Sequence, residues 1–253
     1  MGVNDYAFKL KTETILYTVI KYCDERLYGL PDILSGRSIS ELPTIESEAI
    51  DDLMKNECAS MDFNGKVALK KEYLNCIREC AKCREIAGVD IKRPDGSQQH
   101  MTIYYMGSQK DCMVLKSVDG VYAGVCGLFQ GAVDELEKQI AERINANEGK
   151  MILPNELRLE SFVVQRGNEK EISSCGCDRA SARLIAGIAR GERTALIAKK
   201  LHGDEEVGFF SAIWGDEGNL EMKVEYSDWK ENIIFNPISK YEIVKSVKRI
   251  IEA

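Results

Sequence analysis

The chain has 253 residues, 44% of them hydrophobic and 30% charged, and its 34 basic residues against 41 acidic ones leave a net charge of −7. That composition excludes a disordered chain, and its length suits one large domain or two fused modules with a sizeable core. An acidic surface does not attract a polyanion, and no run of Lys/Arg exceeds two residues, so nucleic acid is not an expected partner.

Residues 6–24 carry Phe8, Ile15, Leu16, Val19, Ile20 and Cys23 at helical spacing, and Gly29 and Pro31 stop the helix. A second helix is predicted over residues 44–58, with Thr44 as N-cap and acids in its first turn. Asn64-Gly65 is a tight-turn signal, and a third helix follows over residues 69–86. Helix, small apolar turn, helix is a winged-helix-like arrangement without an obvious basic recognition helix. The period changes over residues 89–127, where short β-branched and aromatic runs are separated by Asp95-Gly96, Gly107-Ser108 and Asp119-Gly120. That pattern predicts an antiparallel meander. Residues 128–145 then read as an amphipathic helix with Leu128, Val133, Leu136, Ile140 and Ile144 on one side.

Residues 146–177 form a polar connection in which LRLESFVVQ can supply one further strand. A helix over 178–190 starts at Asp178 as N-cap, and four more strands follow, separated by His202-Gly203-Asp204, Gly215-Asp216-Glu217-Gly218 and Asp228. Ser239 and Glu242 make a capping box for a closing helix. Both halves therefore run helix, antiparallel strands, helix. The expected fold class is α+β: a central antiparallel sheet with quasi-two-fold internal duplication, flanked by two helical regions. Residues 1–150 and 151–253 are the two halves, joined by one continuous sheet in a single compact domain.

Nine cysteines cannot all pair internally. The N-terminus has no apolar signal-peptide core and no stretch is long enough to span a membrane, so the expected compartment is the reducing cytoplasm. Cys76, Cys80 and Cys83 have the C-x3-C-x2-C spacing of an iron–sulfur triad. The same spacing puts all three on one buried helix face, and Lys82 stands where the iron–sulfur family usually has an aromatic. Cys175 and Cys177 could join Cys80 and Cys83 around zinc, or remain an accessible thiol pair. His100 and His202 read as strand-edge or turn residues, and there is no nucleophile elbow, phosphate loop or dinucleotide fingerprint beside them. Lys66, Lys70, Lys71, Arg78, Lys82 and Arg84 are the basic residues available to a winged-helix regulator, with Lys71, Arg78 and Lys82 near one face. Phe209, Phe210, Trp214 and Trp229 cluster in the second half. Phe209 and Phe210 are consecutive and must point to opposite faces of a sheet.

The segments MDFNGKVALKKEYLNCIRECAKCREI and HMTIYYMGSQKDCMVLKSVDGVYAGVCGLFQGAVDELEKQI carry a resemblance in element order and spacing. The chain resembles the EspG-type chaperones of ESX (type VII) secretion systems and their Gram-positive relatives. The resemblance implies a cytosolic chaperone or adaptor without catalytic residues or cofactor. It would hold a secreted helical-hairpin cargo of the WXG, LXG or PE/PPE type and keep it soluble for export, with a homodimer possible. The expected binding surface is the hairpin around residues 107–111, with Ser108, Gln109 and Lys110, and the aromatic strand 207–214, with Phe209, Phe210 and Trp214. A cysteine-based zinc or iron–sulfur enzyme and a winged-helix regulator stand beside it as alternatives.

Overall fold

The computed structural model describes residues 8–30, 37–106, 111–117, 125–148, 153, 155–227 and 229–252. In chain order it has β1 (Phe8–Lys11), α1 (Thr12–Cys23), a 3-10 turn (Ile39–Glu41), α2 (Leu42–Lys55), a small hairpin of β2 (Ala59–Met61) and β3 (Val67–Leu69), and α3 (Lys71–Lys82). A meander follows, made of β4 (Glu85–Lys92), β5 (Gln98–Tyr105), β6 (Asp111–Ser117) and β7 (Val125–Ala132), and it ends in α4 (Val133–Arg143). After β8 (Leu157–Glu160), α5 (Ser161–Arg166), α6 (Glu169–Ser174) and α7 (Arg179–Ala189) comes a second meander of β9 (Thr194–His202), β10 (Glu205–Gly215), β11 (Gly218–Ser227) and β12 (Lys230–Pro237). The described chain closes with α8 (Lys240–Ile251).

Among the described residues, ten strands form one antiparallel sheet in the order β1-β7-β6-β5-β4-β9-β10-β11-β12-β8, and β2–β3 stands apart. The expected α+β class with a central antiparallel sheet is what the chain adopts. The two meanders meet at β4 and β9, paired from Glu85↔His202 to Lys92↔Ala195. Each flank is closed on its outside by a short strand that precedes its helices, β1 on one edge and β8 on the other.

Several elements differ from the sequence expectation at their ends. Phe8–Lys11 is strand, because the edge of β7 is free to pair with it and FKLK alternates so that Leu10 turns inward. α2 is not capped by Thr44; it starts at Leu42, after a capping box in which Ser38 and Glu41 satisfy each other. α3 is shorter than residues 69–86, since Leu69 pairs with Ala59 and Glu85 opens β4. Leu128–Ala132 extends β7 along β6, so Leu128 does not sit on the helix that follows. In LRLESFVVQ only Leu157–Glu160 is strand, and α5 takes over until Gly167, whose φ of +61° ends it. The N-cap at Asp178 and the capping box at Ser239–Glu242 form as expected, with Asp178 accepting from the Ala180 and Ser181 amides at 2.7 and 2.9 Å.

Three apolar clusters hold the layers together. On one face, α4 and α8 cover the middle of the sheet, with Leu136, Ile140, Val247 and Ile251 against Val89, Ile103, Val114, Ala198 and Ala212. On the opposite face, α1, α2 and α3 cover the first flank around Tyr73, Ile77, Tyr104, Met113 and Leu128. α5, α6 and α7 cover the second flank on that same face around Ile172, Leu184, Ile213, Leu220 and Phe235. No helix among the described residues is long and apolar enough to cross a membrane.

Candidate functional site

Among the described residues the two helical caps form separate apolar clusters, and between them the β4–β9–β10 seam is a strip of sheet only partly covered. Its register places Gly88 opposite Lys199, Asp90 opposite Ile197, Lys199 opposite Phe209 and Ile197 opposite Ser211. Ile86 and Leu201 at one end belong to the first cap, while Ala195 and Ile213 at the other belong to the second. Between them Ile197 is 38% exposed and Phe209 is 47% exposed. Their positions are diagonal across the β9–β10 ladder, close enough for an aromatic ring and a branched side chain to form one patch. Lys199 lies flat over Gly88, where any Cβ would come within 3.3 Å of its Cε. The seam thus has an apolar centre with one acid, Asp90, and one base, Lys199, beside it.

Beyond the strip, the second meander opens. β10 and β11 share a ladder only from Ala212↔Glu221 to Gly215↔Gly218. At its end the Ser211 hydroxyl donates to the Met222 carbonyl at 2.5 Å. From there β10 stays with β9 and β11 stays with β12. Val207 on one arm and Val224 and Tyr226 on the other are exposed, and Trp229 at the β11–β12 turn is fully exposed with a φ of +62°. The charged neighbours of this opening are mostly paired: Arg158 with Glu225 at 2.5 Å, Lys230 with Glu160 at 2.6 Å, and the Tyr226 hydroxyl with Glu231 at 2.8 Å.

Of the surface residues expected from sequence, Phe209 is on this open face. Phe210 and Trp214 are not: both are buried under α4 and α8, because they alternate onto the covered side of β10. The Trp214 indole donates to Asn145 at 3.1 Å. Ser108, Gln109 and Lys110 lie outside the described residues.

Sequence reasoning missed one polar cluster. His100 is not at a strand edge; it is buried in the middle of β5, with Nδ1 2.5 Å from Asp90 Oδ1 and Nε2 2.9 Å from the Thr102 hydroxyl. The signal was present, since a turn centred on Asp95-Gly96 sets residues 90 and 100 opposite each other. The acid–imidazole–hydroxyl order resembles a hydrolytic relay, but the Thr102 hydroxyl is buried and no substrate atom can reach it. What the cluster does is satisfy buried polar groups beside the open strip.

The cysteines are all free thiols. Cys80 is buried on α3 and held well above the usual thiol range by burial, then by its neighbours Cys76 and Cys83. Cys83 lies just past the helix, and its single S–H is shared between the Glu85 and Tyr105 carbonyls, 2.9 and 3.2 Å from the sulfur. Cys80 and Cys83 belong with the first cap and Cys177 with the second. Among the described residues no three His, Cys, Asp or Glu side chains are grouped so as to hold a metal ion. The basic residues of the winged-helix reading are partly neutralised: Lys70 by Glu57 at 3.7 Å, Lys82 by Glu79 at 3.4 Å, and Arg84 by Glu25 at 3.9 Å. Arg84 also stacks on Tyr28.

No protein-family model and no curated protein matches the chain. Solved structures do match it. One is the type VII secretion system chaperone EspG5 of Mycobacterium tuberculosis, determined in complex with a PE25–PPE41 dimer. The similarity to that chain has a TM-score of 0.53 at 9% identity and covers 96% of this chain and 95% of that one. The shared property is the fold, over essentially the whole length of both chains.

Proposed function

We propose that this chain is a binding protein of the secretion-chaperone kind, and that it holds a helical segment of an exported protein against the partly covered strip of its sheet. The observation that carries the reading is the exposed pair Ile197 and Phe209 on a strip only partly covered between the two helical caps. Strands lie about 4.8 Å apart, so the three strands of the strip span about 10 Å between outer axes. An α-helix is about 10 Å across, so one helix fits the strip and two side by side do not. A helical hairpin would then rest one helix on Ile197 and Phe209 and direct the other towards Val224, Tyr226 and Trp229. The fold shared with a chaperone bound to a PE–PPE dimer supports a partner of that type. Covering the partner's apolar surface and keeping it soluble for export is the activity this reading assigns.

The same reading treats residues 1–150 and 151–253 as two copies of one plan, with the seam between them as the binding floor. The matching order of edge strand, helices, four-strand meander and final helix supports it.

The test places a photoreactive phenylalanine analogue at position 209, with a control at exposed Tyr241 on α8, and cross-links in the native host. The expected result is one dominant adduct from position 209 only, identified by mass spectrometry as an exported helical-hairpin protein. Equal adducts from both positions, or a dominant adduct with a protein of another class, would overturn the reading.

A further inference from the structure

Helix α6 ends at Ser174 and is followed by Cys175-Gly176-Cys177, after which Asp178 caps α7. The last carbonyls of a helix have no partner within it. Here two thiols add to the partners of those carbonyls: Cys175 Sγ donates to the Glu171 carbonyl, which also accepts from the Ser174 hydroxyl at 2.6 Å, and Cys177 Sγ donates to the Ile172 carbonyl, which also accepts from the Cys175 amide at 3.1 Å, each thiol contact being 3.4 Å long. Consecutive carbonyls of a helix point towards the same end, about 100° apart around the axis, so the two sulfurs occupy neighbouring positions at the end of α6. Gly176 between them has a φ of +100°, which only glycine adopts freely and which lets the chain fold back on itself. Cys175 is the exposed member of the nine thiols, and Cys177 is buried next to it. Burial, then the Asp178 carboxylate and Cys175, hold the Cys177 thiol above its usual range.

We propose that Cys175 and Cys177 form a reversible disulfide, a redox device at the junction of α6 and α7. It does not depend on the binding reading. The oxidant is a disulfide such as oxidised glutathione. The Cys175 thiolate attacks one of its sulfurs, forming a mixed disulfide and releasing one glutathione as thiol. The Cys177 thiolate then attacks the Cys175 sulfur, closes the intrachain bond and releases the second glutathione. Two protein thiols are oxidised, one glutathione disulfide is reduced, and the two protons end on the released thiols. Closure removes both sulfur donors from the Glu171 and Ile172 carbonyls. The Ser174 hydroxyl and the Cys175 amide remain on those carbonyls, so the disulfide forms at the end of α6 while Ile172 stays buried in the core of the second cap.

The experiment uses the full chain. It is incubated with oxidised glutathione, quenched with N-ethylmaleimide and mapped by peptide mass spectrometry. The expected product in the parent is a peptide spanning residues 175–177 that has lost two hydrogens and carries neither glutathione nor maleimide, and dithiothreitol restores the parent mass. Cys177→Ser should instead keep glutathione on Cys175. Persistent glutathione on Cys175 of the parent, or maleimide on both thiols after oxidation, would overturn the proposal. Both of those readouts come from the parent protein, so they hold even if the variant misfolds.

Discussion

The two flanks of the sheet follow the same order of elements and finish differently. In the first, β4 and β5 pair over seven positions, and the cap of α1, α2 and α3 covers the Ile86–Tyr104 end of the face above them. A polar group on that face has to be satisfied from within, which Asp90, His100 and Thr102 achieve together. In the second, β10 and β11 part after four pairs, and the cap of α5, α6 and α7 stops short of the opening. There the side chains facing outward are Phe209, Val224 and Tyr226. Long ladders under a helix cap make a scaffold, and a short ladder beside the edge of a cap makes a surface.

The strongest way to break this contrast is to truncate one aromatic on each flank. Tyr73 is fully buried, and its hydroxyl donates to Thr18 at 3.2 Å, so Tyr73→Ala should cost about 3–5 kcal/mol in a urea titration. The double variant Ile197→Ala/Phe209→Ala should behave in the opposite way. Unfolding free energy should stay within about 1 kcal/mol of the parent, while calorimetry with the partner cross-linked at position 209 should show affinity reduced tenfold or more. A large loss of stability with unchanged affinity would mean that the open strip is core after all.

Smaller effects sharpen the contrast. Asp178→Ala removes the N-cap of α7 and should cost about 1 kcal/mol at neutral pH. Burial would raise the Asp178 pKa, but the amide and hydroxyl of Ser181 and the amide of Ala180 outweigh it and leave it below the ordinary carboxylate range. The charged form is therefore favoured by folding. The cap's contribution is complete above the unfolded carboxylate pKa and fades as pH falls through the depressed one. Parent and variant should converge in acid, and urea midpoints at several pH values would show whether they do. The smallest effect should come from Trp229→Gly. A tryptophan at a φ of +62° is strained where glycine is not, so the variant should be more stable by about 0.5–1 kcal/mol. It should also bind the partner more weakly. A Trp229→Gly chain that melts below the parent would remove the strain from consideration.

Much of the fold could be read directly from the sequence because its turns are written in strong local chemistry. Asp95-Gly96 and His202-Gly203-Asp204 fix two hairpins, and Asp178 and Ser239 fix two helix starts. The ends of elements were harder, as at Leu128, because pairing with a strand far away in sequence overrides the local helical period. The proposed binding face was only half legible. Alternation shows that Phe209 and Phe210 face opposite ways, but which side the helices cover depends on the packing of α4 and α8. The Cys76, Cys80 and Cys83 spacing was read both as ligand set and as helix face. Chain reversal after Lys82 takes Cys83 off the helix.

The seam has a consequence for how the chain reaches this state. Each meander is built from neighbours in sequence, whose turns close quickly and at small entropic cost. β4 and β9, by contrast, join residues more than a hundred positions apart, as at Val89↔Ala198. The seam is therefore expected to form late, after both hairpin stacks exist, and the rate of folding should be set by that docking. Until it happens, each half carries an exposed strand edge of eight or nine residues, β4 in one and β9 in the other. The line on which the finished protein is proposed to hold its partner is also the line along which an unfinished one would aggregate.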